Sequence, residues 1–545
     1  MRTHHIVAAL LLTLAGASAR AEAPPTRLWV QTWNATSNHE DIGRLLAVDS
    51  PNRIYVAGST YDPAIGGKLY DYLLLQYDAA GNLVWDRRYG GTGGEIVSDI
   101  CVPAQGEVVI TGLSPGQNSF EIATVKYDQL GNLLWDRRFP VQGLMNDFGP
   151  KMSVDGDHNI VIGATTSDDY LVLKYAPDGT LLWSRTHDGP SHGSDFATDV
   201  AASPEGDIYV TGAANDLTRF MMVKYSPTGV FQWEQILAGD IQSVFAPAQV
   251  AVGPDRDVVV AGNPESTCGV FQFKVWKCSA ASGAVLWSDT APAQPCFSLI
   301  FQDMVLDWSG NILAVCSGSE TGVDTHMQVL RYSPNGTRQW IRQFDGPGTG
   351  EDIAAAIDTD GMGAAYVAGY TTFPPQNRDY AAAKFSAGGV QEWAVSWASN
   401  QGTNDIGHDI VVDPAGDVII TGNSYSPVTN ENVVTVKYHQ ASAAQAPEAA
   451  DAGAAREPLG VAPNPMTRET EVHYTIGREG RVRLDVLSPT GRLMQTLVDG
   501  VASAGSHMIR WHGTDARGAR LPAGTYLVRL EAEGGESTAK VSLLP

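Results

Sequence analysis

Five acidic residues recur at a fixed distance from a repeated glycine. Asp41, Glu95, Asp195, Asp352 and Asp405 each stand seventeen residues before Gly58, Gly112, Gly212, Gly369 and Gly422. Carboxylates brought to one ring would supply hard oxygen ligands for Ca²⁺, or a field that attracts cations. They serve as well to cap strand starts, and recurrence in nearly every unit favours capping. The third unit has Asp147 one place later, and the fifth and sixth have Phe245 and Phe301. Two segments, VDGDHN (Asp155, Asp157) and DTDG (Asp358, Asp360), have D-x-D spacing, but neither continues to the Glu of an EF-hand. Hairpin turns are expected there.

The other chemistry-bearing residues form no motif. Five cysteines are present, and Cys268 and Cys296 lie symmetrically about the hairpin expected between Trp276 and Trp287. In an exported chain they are the expected disulfide. The spacing of Cys268 and Cys278 does not suit zinc. G-x-S-x-G and H-E-x-x-H do not occur, and Gly90 to Gly94 precede no helix that could present amides to phosphate. No catalytic residue, metal-ligand set or cofactor is assigned; Ca²⁺ is the one ion weighed.

The elements that position these residues are set by an internal repeat. A tryptophan recurs after a turn at Trp85, Trp135, Trp183, Trp233, Trp287, Trp340 and Trp393, usually eight residues after an aromatic (Tyr77, Tyr127, Tyr175, Tyr225, Tyr332, Phe385). The marker glycines Gly58 and Gly422 are seven intervals and 364 residues apart, a period of 52. Each unit holds four short alternating runs divided by turn residues, which is one antiparallel blade. The eighth unit lacks its tryptophan strand. RLWVQTW, with Trp29, supplies it from the other end of the chain, because the 29 residues from Trp29 to Gly58 match the gap from Trp183 to Gly212. An all-β fold is expected: an eight-bladed propeller closed by an N-terminal strand. The eight tryptophans are expected to pack the blades, facing the Tyr or Phe across each hairpin.

Composition agrees with this class. The 545 residues include 57 Gly and 30 Pro with only 18 % charged residues, a turn-rich balance unlike coiled coil or disorder. The net charge of −24 argues against nucleic-acid partners, since phosphates would go unneutralised. Residues 22–440 carry 23 Lys/Arg against 48 Asp/Glu, so the acidity belongs to the propeller.

Residues 1–21 read as a signal peptide: Arg2, an apolar run from Ile6 to Leu14, and Ala19-Arg20-Ala21 as cleavage site. That run is too short to span a bilayer as a helix, and no transmembrane span is expected in the mature chain. Residues 441–455 form an Ala-rich linker, and 456–545 hold six strand-like runs that read as a small Ig-like β-sandwich.

Two resemblances follow from quoted motifs. Pro463 to Pro465 (P-N-P), Trp511 to Gly518 (W-x-G-x-D-x-x-G) and Ala523 to Tyr526 (A-G-x-Y) resemble the Ig-like domain of flagellar hook-capping proteins and the C-terminal sorting domain of type IX secretion cargo. That resemblance implies transit of the outer membrane and contact with secretion machinery. The strands DSPNRIYVAG, SPEGDIYVTG and DPAGDVIITG resemble the bacterial β-propeller repeat (SBBP-like) family, which implies a fold. The expected function is a secreted or cell-surface, non-catalytic binding or scaffold protein for a protein or glycan ligand. The alternative is an exported enzyme on a propeller scaffold, either a quinoprotein-like dehydrogenase or a glycan-active lyase or hydrolase.

Overall fold

The computed structural model describes residues 24–440 except 36–38, 50–51, 62–69, 91–92, 117–118, 143–148, 215–218, 238–247, 265–270, 292–297, 320–324, 345, 347, 349, 362, 374–376 and 400–401. It also describes 459–543 except 463–465, 467–469, 477–479, 488–492, 503–504, 516–519, 522–523 and 533–534. The signal sequence, the linker and the proposed disulfide partners Cys268 and Cys296 lie outside the described residues. Among the described residues every regular element is a strand.

Residues 26–439 form eight four-stranded antiparallel sheets. Seven are consecutive meanders. In the eighth, Thr26–Trp33 adds to the strand Asn430–His439, with Val30 opposite Val436 and Trp33 opposite Val433. First strands of successive sheets pack side by side, and that of the eighth (Asp405–Val412) meets that of the first (Asp41–Val48). The sheets therefore close into a propeller, with a ring of first strands around its axis.

The packing shows why the sequence repeats. Second and third strands such as IYVAGSTY and YDYLLLQY are buried on both faces, because each blade is covered by two neighbours. Ile54, Val56, Leu73 and Leu75 of the first blade share a core with Ile419 and Val433 of the eighth. Each such side chain contributes about 1.5–3 kcal/mol on burial. The marker glycine sits opposite a β-bulge in the first strand: Gly58 pairs with Gly43, and the register shifts between Gly43 and Leu45. A Cβ on Gly58 would lie 1.9 Å from the Ile42 carbonyl oxygen, so only glycine allows the bulge to close up.

The tryptophans pack between blades in a different pairing from the one expected. Five of them face the aromatic of the next blade: Trp85 lies 6.4 Å from Tyr127, Trp135 6.3 Å from Tyr175, and Trp29 6.2 Å from Tyr77 (ring centroids), and Trp183 and Trp340 do the same with Tyr225 and Phe385. Across its own hairpin Trp85 stands opposite Gln76 instead. Its ring covers the next turn, where Gly131 holds φ +73° and has no side chain to obstruct the indole. The indole N–H of Trp85 donates to the Gln129 carbonyl of that turn at 3.2 Å. Arg87 beside it donates to the Gly131 carbonyl at 2.6 Å.

The C-terminal residues form a sandwich of two sheets. One joins Leu459–Ala462, Thr470–Ile476 and Gly505–Trp511; the other joins Leu493–Ala502, Gly480–Leu487, Gly524–Ala532 and Gly535–Leu543. Val472, Tyr474, Val482, Leu484, Trp511 and Val528 fill its core. Leu459–Ala462 is a seventh strand beyond the six read from sequence. No helix of the described residues is long and apolar enough to cross a membrane.

Candidate functional site

The ring of first strands carries Asp99, Asp199, Asp303, Asp358 and Asp409. A first strand is the inner edge of its sheet, so half of its backbone N–H groups lack a ladder partner. Side chains from the preceding blade supply acceptors. Asp99 Oδ2 accepts from Met152 N at 2.6 Å, Asp199 Oδ2 from Val250 N at 2.8 Å, and Asp303 Oδ2 from Ile357 N at 2.9 Å. Asp409 Oδ2 accepts from Leu46 N at 2.6 Å, across the seam that closes the ring. Asp358, two positions further along its strand, accepts from Val412 N at 2.7 Å, and Ser153 Oγ from Ala202 N at 2.9 Å.

Asp99, Asp199, Asp303 and Asp409 occupy one register position in alternate blades, immediately after the bulge. The intervening blades place Leu45, Lys151, Gln249 and Ala356 there. Gln249 donates to Asp303 Oδ1 at 2.9 Å, and Lys151 bears electrostatically on Asp99, Asp199 and Asp303. The five carboxyls are half-buried, with protein enclosing much of each. That enclosure, which strips water from the charged form, raises their pKa values. Asp199 and Asp358 are raised to about 7 and Asp409 to about 8, with the neighbouring carboxylates adding to the rise. Asp99 and Asp303 are also raised by burial. Nearby His408 is lowered to about 4 by burial, and its Nε2 lies 2.6 Å from Asn423 Oδ1.

The sequence did carry a signal for this belt. Asp99, Asp199 and Asp409 each stand thirteen residues before the marker glycine, and Asp303 thirteen before Cys316. Their occurrence in alternate units hides them from a search for residues present in every unit. Asp358 corrects the D-x-D reading: it lies within the strand Asp352–Thr359 and not in a hairpin turn. Asp155 does stand in a turn, accepting from Asn159 N at 3.0 Å and pairing with Lys174 at 2.7 Å.

The acids singled out from sequence occupy a second level, at the first-strand starts. Asp41, Glu95, Asp195, Asp352 and Asp405 are all buried. Four of them accept a backbone N–H six residues upstream: Asp41 from Ala35 (2.7 Å), Asp195 from Gly189 (2.6 Å), Asp352 from Gly346 (3.0 Å) and Asp405 from Ser399 (2.7 Å). Glu95 accepts from Ser114 Oγ at 3.3 Å. Those four carboxylates thus fasten the loop that enters their blade, whereas Glu95 is tied to the second strand of its own. At one of them three acids converge, with oxygens of Asp169, Asp188 and Asp195 all within 4.8 Å of one another. Burial, followed by Asp188 and Asp195, raises the Asp169 pKa. Asp188 also pairs with His192 at 2.6 Å. In the sixth unit the register puts Leu299, opposite Gly318, in the acid's place; Phe301 instead pairs with Cys316 and is buried against Phe273.

Comparison with known proteins adds the following. Residues 471–536 match the family described as the FlgD Ig-like domain. No curated protein matches the chain. Among solved structures, PorZ of Porphyromonas gingivalis, described as a bacterial surface component of the type IX secretion system, aligns at 12 % identity and TM-score 0.37, over 90 % of this chain and 68 % of PorZ. Quinohemoprotein alcohol dehydrogenase from Comamonas testosteroni aligns at 10 % identity and TM-score 0.46, over 80 % and 81 %. Sqt1 from Chaetomium thermophilum aligns at 13 % identity and TM-score 0.42, over 76 % and 100 %. None of these likenesses carries an activity to this chain.

Proposed function

We propose that the chain is an exported, non-catalytic propeller of the SBBP-like kind, which binds a protein or glycan through loops on one rim of the ring. Its C-terminal domain serves export or attachment at the cell surface. The observation that supports this most directly is the joining of a closed ring to an Ig-like sandwich matching the FlgD Ig-like family over residues 471–536. The recurrent residues of the ring support it further, since tryptophans, arginines and acids are engaged in blade-to-blade or loop-to-blade hydrogen bonds. The binding loops are sought at 59–70, 371–379 and 424–432, where the repeat is broken.

The test is localisation of the full chain beside a chain ended after Ala455. Loss of the shortened chain from the cell exterior supports the reading; equal export of both removes the sorting role. Titration with pyrroloquinoline quinone, followed by tryptophan fluorescence, tests the dehydrogenase alternative. Quenching that saturates would favour the enzyme. Glycan-array binding without turnover would favour the binding role.

A further inference from the structure

Trp308 stands outside the set of tryptophans that pack the blades. It lies in the turn between the first and second strands of the sixth blade, where Gly310 N donates to the Asp307 carbonyl at 2.9 Å. The matching turns of the fourth, fifth and eighth blades carry Pro204, Pro254 and Pro414 at that position. The turn is firmly held. Asp307 is buried and pairs with Arg331 at 3.1 Å, and Arg331 also donates to the carbonyls of Gly363 and Ala387 in the seventh blade, each at 2.8 Å. Trp308 N donates to the Gly361 carbonyl at 3.0 Å, and a Cβ on Gly361 would lie 1.9 Å from the indole, so glycine gives the ring room against the seventh blade.

The group that covers this indole comes from the C-terminal sandwich. The His473 imidazole stacks on Trp308 with ring centroids 3.6 Å apart and planes 24° from parallel. His473 faces outward from the sandwich, since Val472, Tyr474 and Ile476 of the same strand fill its core. It is nevertheless only 8 % exposed. Its neighbours in the sheet do not account for that: Gly460 has no side chain, and Met508 is itself 40 % exposed. The cover comes from outside the sandwich, and Trp308 supplies it.

We propose that Trp308 is a docking point for the chain's own C-terminal domain, holding the outer face of Thr470–Ile476 against the sixth blade. Residues 441–458 join the propeller to the domain. A chain of that length reaches at most roughly 60 Å, and such a tether keeps the effective concentration of the domain near ~1 mM. One aromatic stack, too weak to hold two separate molecules together, therefore suffices within one chain. The turn lies on the rim opposite the loops 59–70, 371–379 and 424–432, because first-to-second and second-to-third connections of a meander fall at opposite ends of its strands. Docking thus leaves those loops free, and it stands whether or not they bind a ligand.

The experiment is diethylpyrocarbonate modification of the full chain, read histidine by histidine through peptide mass analysis. His192, whose side chain is exposed, is the internal standard. Relative to it, His473 is expected to react slowly in wild type and in Trp308→Phe. In Trp308→Ala it is expected to react roughly tenfold faster, the factor that loss of one aromatic stack supplies. Cys316, on the second strand of the same blade, should stay closed to maleimide in all three proteins, which separates undocking from unfolding. Should Trp308→Ala fail to fold, His473→Ala followed by small-angle X-ray scattering repeats the test from the other partner, with a larger radius of gyration expected. An unchanged radius in His473→Ala overturns the proposal, as does His473 that reacts like His192 in wild type or stays protected in Trp308→Ala. Protection lost on dilution overturns it too, by placing the contact between copies.

Discussion

The indole N–H of Trp393 donates to the side-chain Oε1 of Gln440 at 3.2 Å. The other seven blade tryptophans donate to a main-chain carbonyl in the next blade's hairpin, as Trp340 does to Ala387 at 2.9 Å and Trp29 to Ala79 at 3.3 Å. The eighth blade has no such hairpin, because its outer strand comes from the N-terminus. Gln440 stands in for it and is itself held by donating to the Gly416 carbonyl at 2.6 Å.

Gln440→Ala should therefore destabilise the ring by about 1 kcal/mol, the usual net worth of one hydrogen bond with a buried donor left unpaired. Urea unfolding of the chain ended at residue 440, with and without the substitution, measures this. An unchanged midpoint would show that the indole finds another acceptor.

Two glycines separate backbone strain from the cost of a blocked indole. Gly131 and Gly416 hold φ +73° and +83°, but a Cβ on Gly131 would lie 2.8 Å from the Trp85 ring, whereas one on Gly416 meets nothing within 4 Å. Gly416→Ala should cost about 1 kcal/mol from the left-handed backbone alone. Gly131→Ala should cost more, by about 1–3 kcal/mol, as the tryptophan is forced off the turn. Equal losses in chemical denaturation would mean that the indole moves aside freely.

Lys437 pairs with Asp413 at 2.7 Å and Asp417 at 3.1 Å, with its side chain 2 % exposed and that of Asp413 fully buried. Removing one member of such a pair strands the other charge away from water. Lys437→Met should destabilise by about 3–5 kcal/mol. The double variant Lys437→Met/Asp413→Leu should recover part of that loss, and a larger loss in the double variant would contradict the account.

Three described thiols should be silent in the folded protein. Burial raises Cys278 to about 12, Cys316 well above its ordinary value, and Cys101 likewise. The reactive thiolate is therefore scarce at neutral pH. Maleimide labelling followed by peptide mass analysis should modify these three only after denaturation. Rapid native labelling of Cys316 would be inconsistent with its place in the core between the fifth and sixth blades.

Much of the architecture was legible because a propeller writes one pattern many times. The 52-residue period, the alternating runs and the 29-residue gap from Trp29 to Gly58 led to four-stranded sheets and to closure by the N-terminal strand. Pairing within a blade is local in the chain, so sequence spacing reports it. The aromatic partner of each tryptophan was misassigned for the opposite reason. Tyr77 is eight residues before Trp85, but register and twist turn that indole towards Tyr127 of the next blade.

The chain alone determined which residues recur: the tryptophans, the marker glycines, and the acids seventeen residues before them. It also determined that the negative charge is concentrated in residues 22–440. Only the tertiary structure decided what those residues face. Asp409 and Leu46 are 363 positions apart and meet at 2.6 Å solely because the ring closes. The bulge opposite Gly422 set the register of Asp409, and enclosure by neighbouring blades raised its pKa. Register and enclosure arise between blades, where separation along the chain no longer measures distance.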